Sequence, residues 1–158
     1  MQTAASLSRP FELLARAADP LRSLFLLATR WYVSWQFLKS GWLKVTAWQN
    51  TLGLFRDEYH VPLLPPHAAA VAGATGEWFF PTLIVLGLGG RLGPIGLFFV
   101  NVIAVISYRR VLLADGFEAA LGQHILWGYM LLALIVYGCG PLSVDHLLGR
   151  LWRPQRAR

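Results

Sequence analysis

The chain has 158 residues, of which 56% are hydrophobic and 14% are charged, with a formal net charge of +6. Soluble domains carry about 25% charged residues, so this composition and the mean hydropathy of +0.49 indicate a single membrane-embedded domain. Much of the positive charge lies in the last nine residues and before Ser23, where it flanks apolar segments and does not favour nucleic acid as a partner. The single cysteine, Cys139, excludes an intrachain disulfide, a CxxC redox pair and an all-thiolate metal site within one chain.

The N-terminal segment, residues 7–19, predicts a short amphipathic helix that lies on the membrane surface. Its apolar residues recur at helical spacing, and Pro20 predicts its end. The repeating positions are Leu7, Phe11, Leu14 and Ala18.

The first membrane span is unusual because it contains three cations, Arg30, Lys39 and Lys44. At helical spacing Arg30 and Lys44 share one face with Phe37 and Gly41, while Lys39 lies on the opposite side. Cations within a span are expected to face protein, water or a partner charge. The alternative for the two lysines is that they extend to the nearer interface, which explains the deeper arginine less well.

The next segment predicts a second amphipathic helix, in the first loop outside the membrane. One helical face is apolar, and a group of prolines then directs the chain back into the membrane. The apolar positions are Trp48, Leu52, Phe55 and Tyr59, and the prolines are Pro62, Pro65 and Pro66.

Glu77 lies in the middle of the second span, in a run that is otherwise apolar apart from His67. An acid at mid-membrane is a functional-site hypothesis by default. Small residues spaced as Ala69 and Gly73 allow another helix to approach closely, so Glu77 is expected to face a neighbouring helix rather than lipid. Pro81, four residues later, cannot donate a hydrogen bond to the carbonyl of Glu77.

Two further apolar spans carry one strong polar group each, Asn101 in the third and His124 in the fourth. Ser143 is then placed to cap a third amphipathic helix. The sequence therefore predicts an all-α integral membrane four-helix bundle, with short interfacial helices at both ends and in the first outer loop. The single domain is expected to cover residues 1–158, with spans at about 21–47, 67–88, 92–108 and 117–137. Lysine and arginine counts near the span ends predict that both termini are cytoplasmic.

Depth along the spans, at about 1.5 Å per helical residue, places five polar side chains in the outer half of the bundle. They are Glu77, Lys39, Lys44, Asn101 and His124. Arg30 alone falls in the inner half. Glu77 is therefore expected to pair with a lysine or with His124, because an unpaired buried carboxylate would be protonated.

Several roles for this cluster stay open at the level of sequence. Glu77 can be a staple that holds the helices together, a proton or quinone site, a metal or ligand site, or a docking point for a partner subunit. A quinone needs an apolar slot, which Trp78, Phe79 and Phe80 can help to line. Three histidines lie on the outer side, but their spacing is not a ligand motif, so no metal site is predicted. They are His60, His67 and His124.

The polar and glycine positions together resemble the signature of DoxX-type membrane proteins, over nearly the whole chain. The residues that carry the resemblance are Arg30, Phe37, Gly41, Lys44, Glu77, the segment Leu86-Gly87-Leu88, Arg91 and the ending Gly140-Pro141-Leu142-Ser143-Val144-Asp145. The segments 54–59 and 61–64 resemble a subgroup that is often encoded beside small cysteine-rich metal-binding peptides and their maturation proteins.

The resemblance implies a four-helix protein of the bacterial cytoplasmic membrane. The family takes its name from a membrane subunit of a thiosulfate:quinone oxidoreductase, and most of its members have no established activity. One cysteine and the lack of a haem or flavin motif set this chain apart from a self-contained redox enzyme.

We therefore expect an accessory protein, not a self-sufficient enzyme, that supports a redox or metal-handling system. Glu77, Arg30 and Lys44 would form its polar core. One alternative is a membrane subunit of a quinone-linked oxidoreductase, in which Glu77 or His124 handles the proton and quinone is the cofactor. A small-solute transporter is the other, although the chain lacks the internal repeats common in transporters. The expected partners are the lipid bilayer and either another protein or a second copy of the chain.

Overall fold

The structure, a computed structural model, describes the backbone of residues 4–152 and the side chains of residues 20–152. Within that range the chain is helical and contains no strand, as the sequence predicts. The helices are α1 (Ala4–Thr46), α2 (Trp48–Asp57), α3 (Pro66–Leu86), α4 (Leu92–Ser107), α5 (Arg109–Leu112), α6 (Glu118–Tyr137) and α7 (Val144–Leu151).

The four longest helices pack in a closed order, α1 on α3, α3 on α4, α4 on α6 and α6 on α1. Each helix turns apolar side chains toward this shared interior. Close packing there stabilises the bundle through many van der Waals contacts. The buried core residues are Leu26, Val33, Phe37, Ile84, Leu97, Leu131 and Leu134.

Two helices are long and apolar enough to cross a membrane, α3 and α6. The apolar α4 has 16 residues and is shorter than a typical span of about 20. α1 is long but carries the three cations of the predicted first span. The helices occur where the four spans were predicted, and the crossing of the membrane by all four stays a prediction.

The predicted separate N-terminal helix is not observed, because α1 continues without interruption through Pro20. A proline removes one backbone hydrogen bond and bends a helix, but the flanking hydrogen bonds can continue the helix beyond it. The predicted apolar face from Leu7 to Ala18 belongs to side chains outside the described range.

The other two predicted amphipathic segments are helical, and their location at the membrane interface stays a prediction. The apolar face of α2 packs along the N-terminal half of α3, with Phe55 buried against Ala69 and Ala70. In α7 the Ser143 hydroxyl accepts a hydrogen bond from the His146 backbone N–H at 3.3 Å, which caps the helix. The one-turn helix α5 was not predicted.

Candidate functional site

The centre of the site is an ion pair between α1 and α3. The Lys44 ammonium nitrogen lies 2.7 and 2.8 Å from the two carboxylate oxygens of Glu77, and it also donates to the Ser40 hydroxyl at 2.8 Å. The two charged side chains are only 12% and 8% exposed. Glu77 thus pairs with one of the two lysines predicted as its partners. All three N–H donors of the Lys44 ammonium group have acceptors.

Glycine at position 41 allows α1 to approach α3 at this point. A Cβ at Gly41 would lie 3.2 Å from the Cβ of Glu77 and 3.0 Å from the Trp78 ring, closer than ordinary van der Waals contact. Pro81 lies inside α3, so the carbonyl of Glu77 lacks its usual helical donor.

Asn101 and His124 form a second pair, between α4 and α6. The Asn101 amide nitrogen donates to the His124 carbonyl at 3.0 Å, so its oxygen faces the imidazole, where Nδ1 lies 2.8 Å away. Because that amide oxygen is only an acceptor, Nδ1 carries the proton. His124 therefore pairs with Asn101 rather than with Glu77, and the predicted five-residue cluster divides into two pairs, with Lys39 exposed outside both.

Arg30 belongs to a different part of the molecule. It is 1% exposed, and its guanidinium donates to four backbone carbonyls, those of Ile84, Val85, Cys139 and Leu142, at 2.7–2.9 Å. The first two belong to the C-terminal turn of α3, where carbonyls lack helical partners and the helix end favours a cation.

Arg30 and Lys44 are separated by fourteen positions of α1, or about 21 Å along the helix. The expectation of one polar core formed by Glu77, Arg30 and Lys44 is therefore wrong. Arg30 and Lys44 lie on the same side of α1, as predicted. They bind different partners, Val85 and Glu77, because they are far apart along the helix.

A cavity of about 590 Å³ lies beside the ion pair, between α3, α4, the end of α2 and the loop that follows it. Its polar lining residues are Lys44, Tyr59, Glu77 and Ser107. The other lining residues are apolar and include Phe55, Val61, Leu63, Leu64, Phe80, Gly96, Phe99, Val100 and Ile103. From the level of Gly96 to that of Ser107 the cavity follows α4 for about 16 Å.

Part of the cavity lining is exposed. Phe99 and Ile103 on α4 are 59% and 45% exposed, and Leu63 and Leu64 in the loop after α2 are 102% and 45% exposed. Of the three aromatic residues proposed as lining, only Phe80 takes part. Trp78 and Phe79 line a separate groove, because consecutive helical residues point about 100° apart.

Two hydroxyl groups at the α2 end of the cavity were missed by sequence reasoning. The Tyr59 ring stacks between Phe55 and Tyr108, with centroids 4.8 and 4.7 Å apart, and its hydroxyl has no hydrogen-bond partner among the described residues. Burial raises the pKa of Tyr59 to about 12, and the negative charges of Glu77, Tyr108 and Glu58 act in the same direction. The Ser107 hydroxyl is buried and has no hydrogen-bond partner either.

Among the residues that the structure describes, no group of three or more His, Cys, Asp or Glu side chains lies close enough to hold a metal ion. The imidazoles of His60 and His67 are exposed, and His124 is engaged with Asn101.

Comparison with known proteins connects this architecture to a family. A curated relative from Haemophilus influenzae, described as an uncharacterized protein, is 24% identical over 132 residues, which cover 80% of this chain and 85% of the relative. No solved structure matches the chain. The family model for DoxX matches residues 25–110, more than half of the chain, and that segment contains Arg30, Lys44 and Glu77. Proteins of this family are membrane-associated and often linked to redox or quinone-related systems. The chain therefore belongs to the DoxX family.

Proposed function

We propose that the chain is an accessory protein of the bacterial cytoplasmic membrane, which α1, α3, α4 and α6 cross with both termini in the cytoplasm. It binds a lipophilic molecule in the cavity beside Lys44 and Glu77, and through this molecule it supports a redox system. The observation that carries the proposal is a buried ion pair in the wall of a cavity that is otherwise almost entirely apolar.

The ion pair supports a binding role because stability alone does not explain its position. Two charges removed from water contribute little more, and often less, than apolar residues of the same volume would. The Lys44–Glu77 pair, in contact at 2.7 Å, nevertheless lies in the wall of a cavity. Apolar walls with a few polar groups are typical of small-molecule sites of about 300–1,000 Å³.

The exposed part of the lining favours a ligand that arrives from the bilayer. Phe99 and Ile103, on α4, are exposed apolar side chains that would face lipid in a membrane. A lipophilic molecule can therefore enter sideways without crossing water.

The second candidate function is that of a subunit of a quinone-linked oxidoreductase, with quinone as the bound molecule. The hydroxyls of Tyr59 and Ser107 favour it. A quinone needs an apolar slot and one or two hydrogen-bond donors for its carbonyls. Both hydroxyls line the cavity and neither is used by the protein itself. As in the sequence-based expectation, a partner protein or a second copy of the chain completes the redox role. Metal handling and solute transport remain predictions that no described contact favours.

The test is to identify what the purified protein carries. Lipophilic molecules extracted from the protein in mild detergent are identified by mass spectrometry, together with proteins that co-purify. Ala104→Phe places a ring in the cavity and is expected to remove the bound molecule, as is Glu77→Gln. Ala28→Phe, on an exposed face of α1 away from the cavity, is the matched control.

Each outcome decides between a binding role and a structural one. Loss of the bound molecule in Ala104→Phe but not in Ala28→Phe, with both variants folded, supports the proposal. Equal amounts of the same molecules in both variants would rule out the cavity as the site. If Glu77→Gln lowers the melting temperature and leaves the bound molecule unchanged, the ion pair is a structural staple only.

A further inference from the structure

A second cleft, of about 400 Å³, meets the apolar cavity at the C-terminal end of α4. It is lined by His60, Arg109, Arg110, Ile106, Leu113 and Ser107, and Ser107 lines the apolar cavity as well. The loop that bears His60 is fixed to this helix end, because the His60 backbone N–H donates to the Ser107 carbonyl at 3.2 Å. A basic cleft and an apolar cavity thus share a wall.

The two arginines of the cleft have no ion-pair partner among the described residues, where the ion pairs are Lys44–Glu77 and Arg56–Asp57. Glu58, which follows α2, accepts a hydrogen bond from the Tyr108 hydroxyl at 3.0 Å. No acidic residue lines the cleft, so its two guanidinium groups leave it positive. The carbonyls at the end of α4 oppose an anion only weakly compared with two nearby full charges.

We propose that the cleft and the cavity are two parts of one binding site, whose ligand is a membrane lipid with an anionic phosphate head group. The phosphate lies between Arg109 and Arg110, which bind it through charge-assisted hydrogen bonds. One apolar chain follows α4 past Tyr59 toward Glu77, over the roughly 16 Å between Ser107 and Gly96. This inference rests on the proposed function, because it names the class of the lipophilic ligand.

Charge and shape select this ligand over the others. A neutral quinone fits the apolar cavity but leaves the basic cleft without a counter-charge. Free inorganic phosphate fits the cleft but leaves the apolar cavity unfilled. An anionic lipid satisfies both parts, and its head group would lie at the predicted outer end of α4, where Arg109 and Arg110 flank the span.

Native mass spectrometry of the full chain in detergent tests the proposal. The probes are phosphatidylglycerol and phosphatidylcholine with identical acyl chains, and inorganic phosphate serves as competitor. We expect the wild type to bind phosphatidylglycerol about ten-fold more tightly than phosphatidylcholine, as one charge-assisted contact would allow. Arg109→Gln with Arg110→Gln should abolish this preference, whereas inorganic phosphate should not displace the lipid.

A matched control removes two charges elsewhere. Lys39→Gln with Arg150→Gln changes two exposed cations outside the cleft and should preserve the preference. Ala104→Phe should weaken binding of both lipids, because it obstructs the chain while leaving the cleft intact. The melting temperature of each variant is measured first. Only variants that melt at the wild-type temperature are compared, so that a loss of binding does not reflect a loss of fold.

The remaining outcomes separate this inference from the proposed function. Equal binding of the two lipids by the wild type, or a preference that survives in the double arginine variant, overturns the anionic head group. Displacement by inorganic phosphate, or full phosphatidylglycerol binding in Ala104→Phe, shows that cleft and cavity are not one site. If Ala104→Phe removes a co-purified quinone while the arginine variant retains it, the proposed function stands and this inference fails.

Discussion

Among single residues, Lys44 and Glu77 show how far a buried charge depends on its partner. If either is removed, the other is left charged or forced neutral in a site that is about 90% buried. We expect Glu77→Gln and Lys44→Met each to lower the free energy of unfolding by about 3–5 kcal/mol. Replacing both, as Lys44→Met with Glu77→Leu, should cost less than either single change, because no unpaired charge remains.

Denaturant unfolding of the purified protein in detergent gives the three values and their coupling. The exposed pair Arg56 and Asp57, with side chains 72% and 64% exposed, provides the control, and its removal should have no measurable effect. Single variants as stable as the wild type would contradict a buried, charged pair.

Tyr59 reports whether Glu77 is ionised in the folded protein. Its pKa of about 12 lies above the ordinary value of 10.0, first because the ring is buried and then because of the charge on Glu77. The folded chain therefore keeps the phenol proton after the unfolded chain has lost it. The stability that Tyr59 contributes is present below about pH 10 and is lost as the pH rises through about 12.

We expect Tyr59→Phe to remove the highest step in a tyrosinate absorbance titration, and Glu77→Gln to lower the midpoint of that step. Asp57→Asn removes an exposed acid from the same end of α2 and should leave the midpoint unchanged. If Glu77→Gln and wild type titrate alike, Glu77 carries no charge that reaches Tyr59.

At the scale of the elements, the end of α3 depends on a glycine that leaves room for Arg30. Gly87 has a φ of +69°, and a Cβ there would lie 2.7 Å from the Arg30 guanidinium and 2.5 Å from the Ser143 side chain. Gly90 has a similar φ of +60° but nothing within 4 Å. The two positions therefore share the backbone cost of a left-handed alanine, about 1–2 kcal/mol, and differ only in packing.

Gly87→Ala should accordingly destabilise the protein by clearly more than Gly90→Ala does. Melting temperatures of the two variants measure the difference, which reports the contact between Arg30, α3 and the segment after α6. Equal losses would mean that this contact can shift to accept a methyl group at no cost.

The elements also show what sequence patterns can and cannot predict. Helix positions followed from hydrophobic periodicity, which is local, and the capping of α7 by Ser143 followed from its type and place. The burial of Arg30 also followed, because it lies too deep in α1 to extend easily to an interface, whereas Lys39 was expected in the polar cluster and is exposed. Pairing between helices was less accessible, since depth placed Asn101 and His124 near Glu77 without revealing that they pair with each other.

The cavity required tertiary structure because its walls come from four separate helices and a loop. Tyr59 and Phe55 were placed correctly on the apolar face of α2, but packing of α2 alongside α3 brings them beside Glu77. Nothing in the pattern near Ser107 indicated a buried, unpartnered hydroxyl. The helical step of about 100° separates Phe80 from Trp78 and Phe79, but which of the three faces the cavity depends on how α3 packs against α4.

For the whole molecule, the decisive question is how many times the chain crosses the membrane. The packing of α1, α3, α4 and α6 brings the loop after α2 next to the end of α4. The hydrogen bond from the His60 backbone N–H to the Ser107 carbonyl joins these two segments. The turn at Gly89 and Gly90 lies at the other end, where Gly90 donates to Asp145 at 2.6 Å. If the chain crosses four times, as proposed, these two ends lie on opposite sides of the bilayer.

Labelling of intact cells with a membrane-impermeant maleimide tests this arrangement. In a Cys139→Ser background, Asp57→Cys and Asp115→Cys should be labelled from outside, because both positions are exposed at the predicted outer end. Gly89→Cys, exposed at the opposite end, should be labelled only after the cells are permeabilised. The reverse pattern would invert the orientation and place the basic cleft of Arg109 and Arg110 in the cytoplasm. Labelling of Asp57→Cys and Asp115→Cys on opposite sides would show that the chain does not make four crossings, since both positions lie at the same end of the helices in the folded chain.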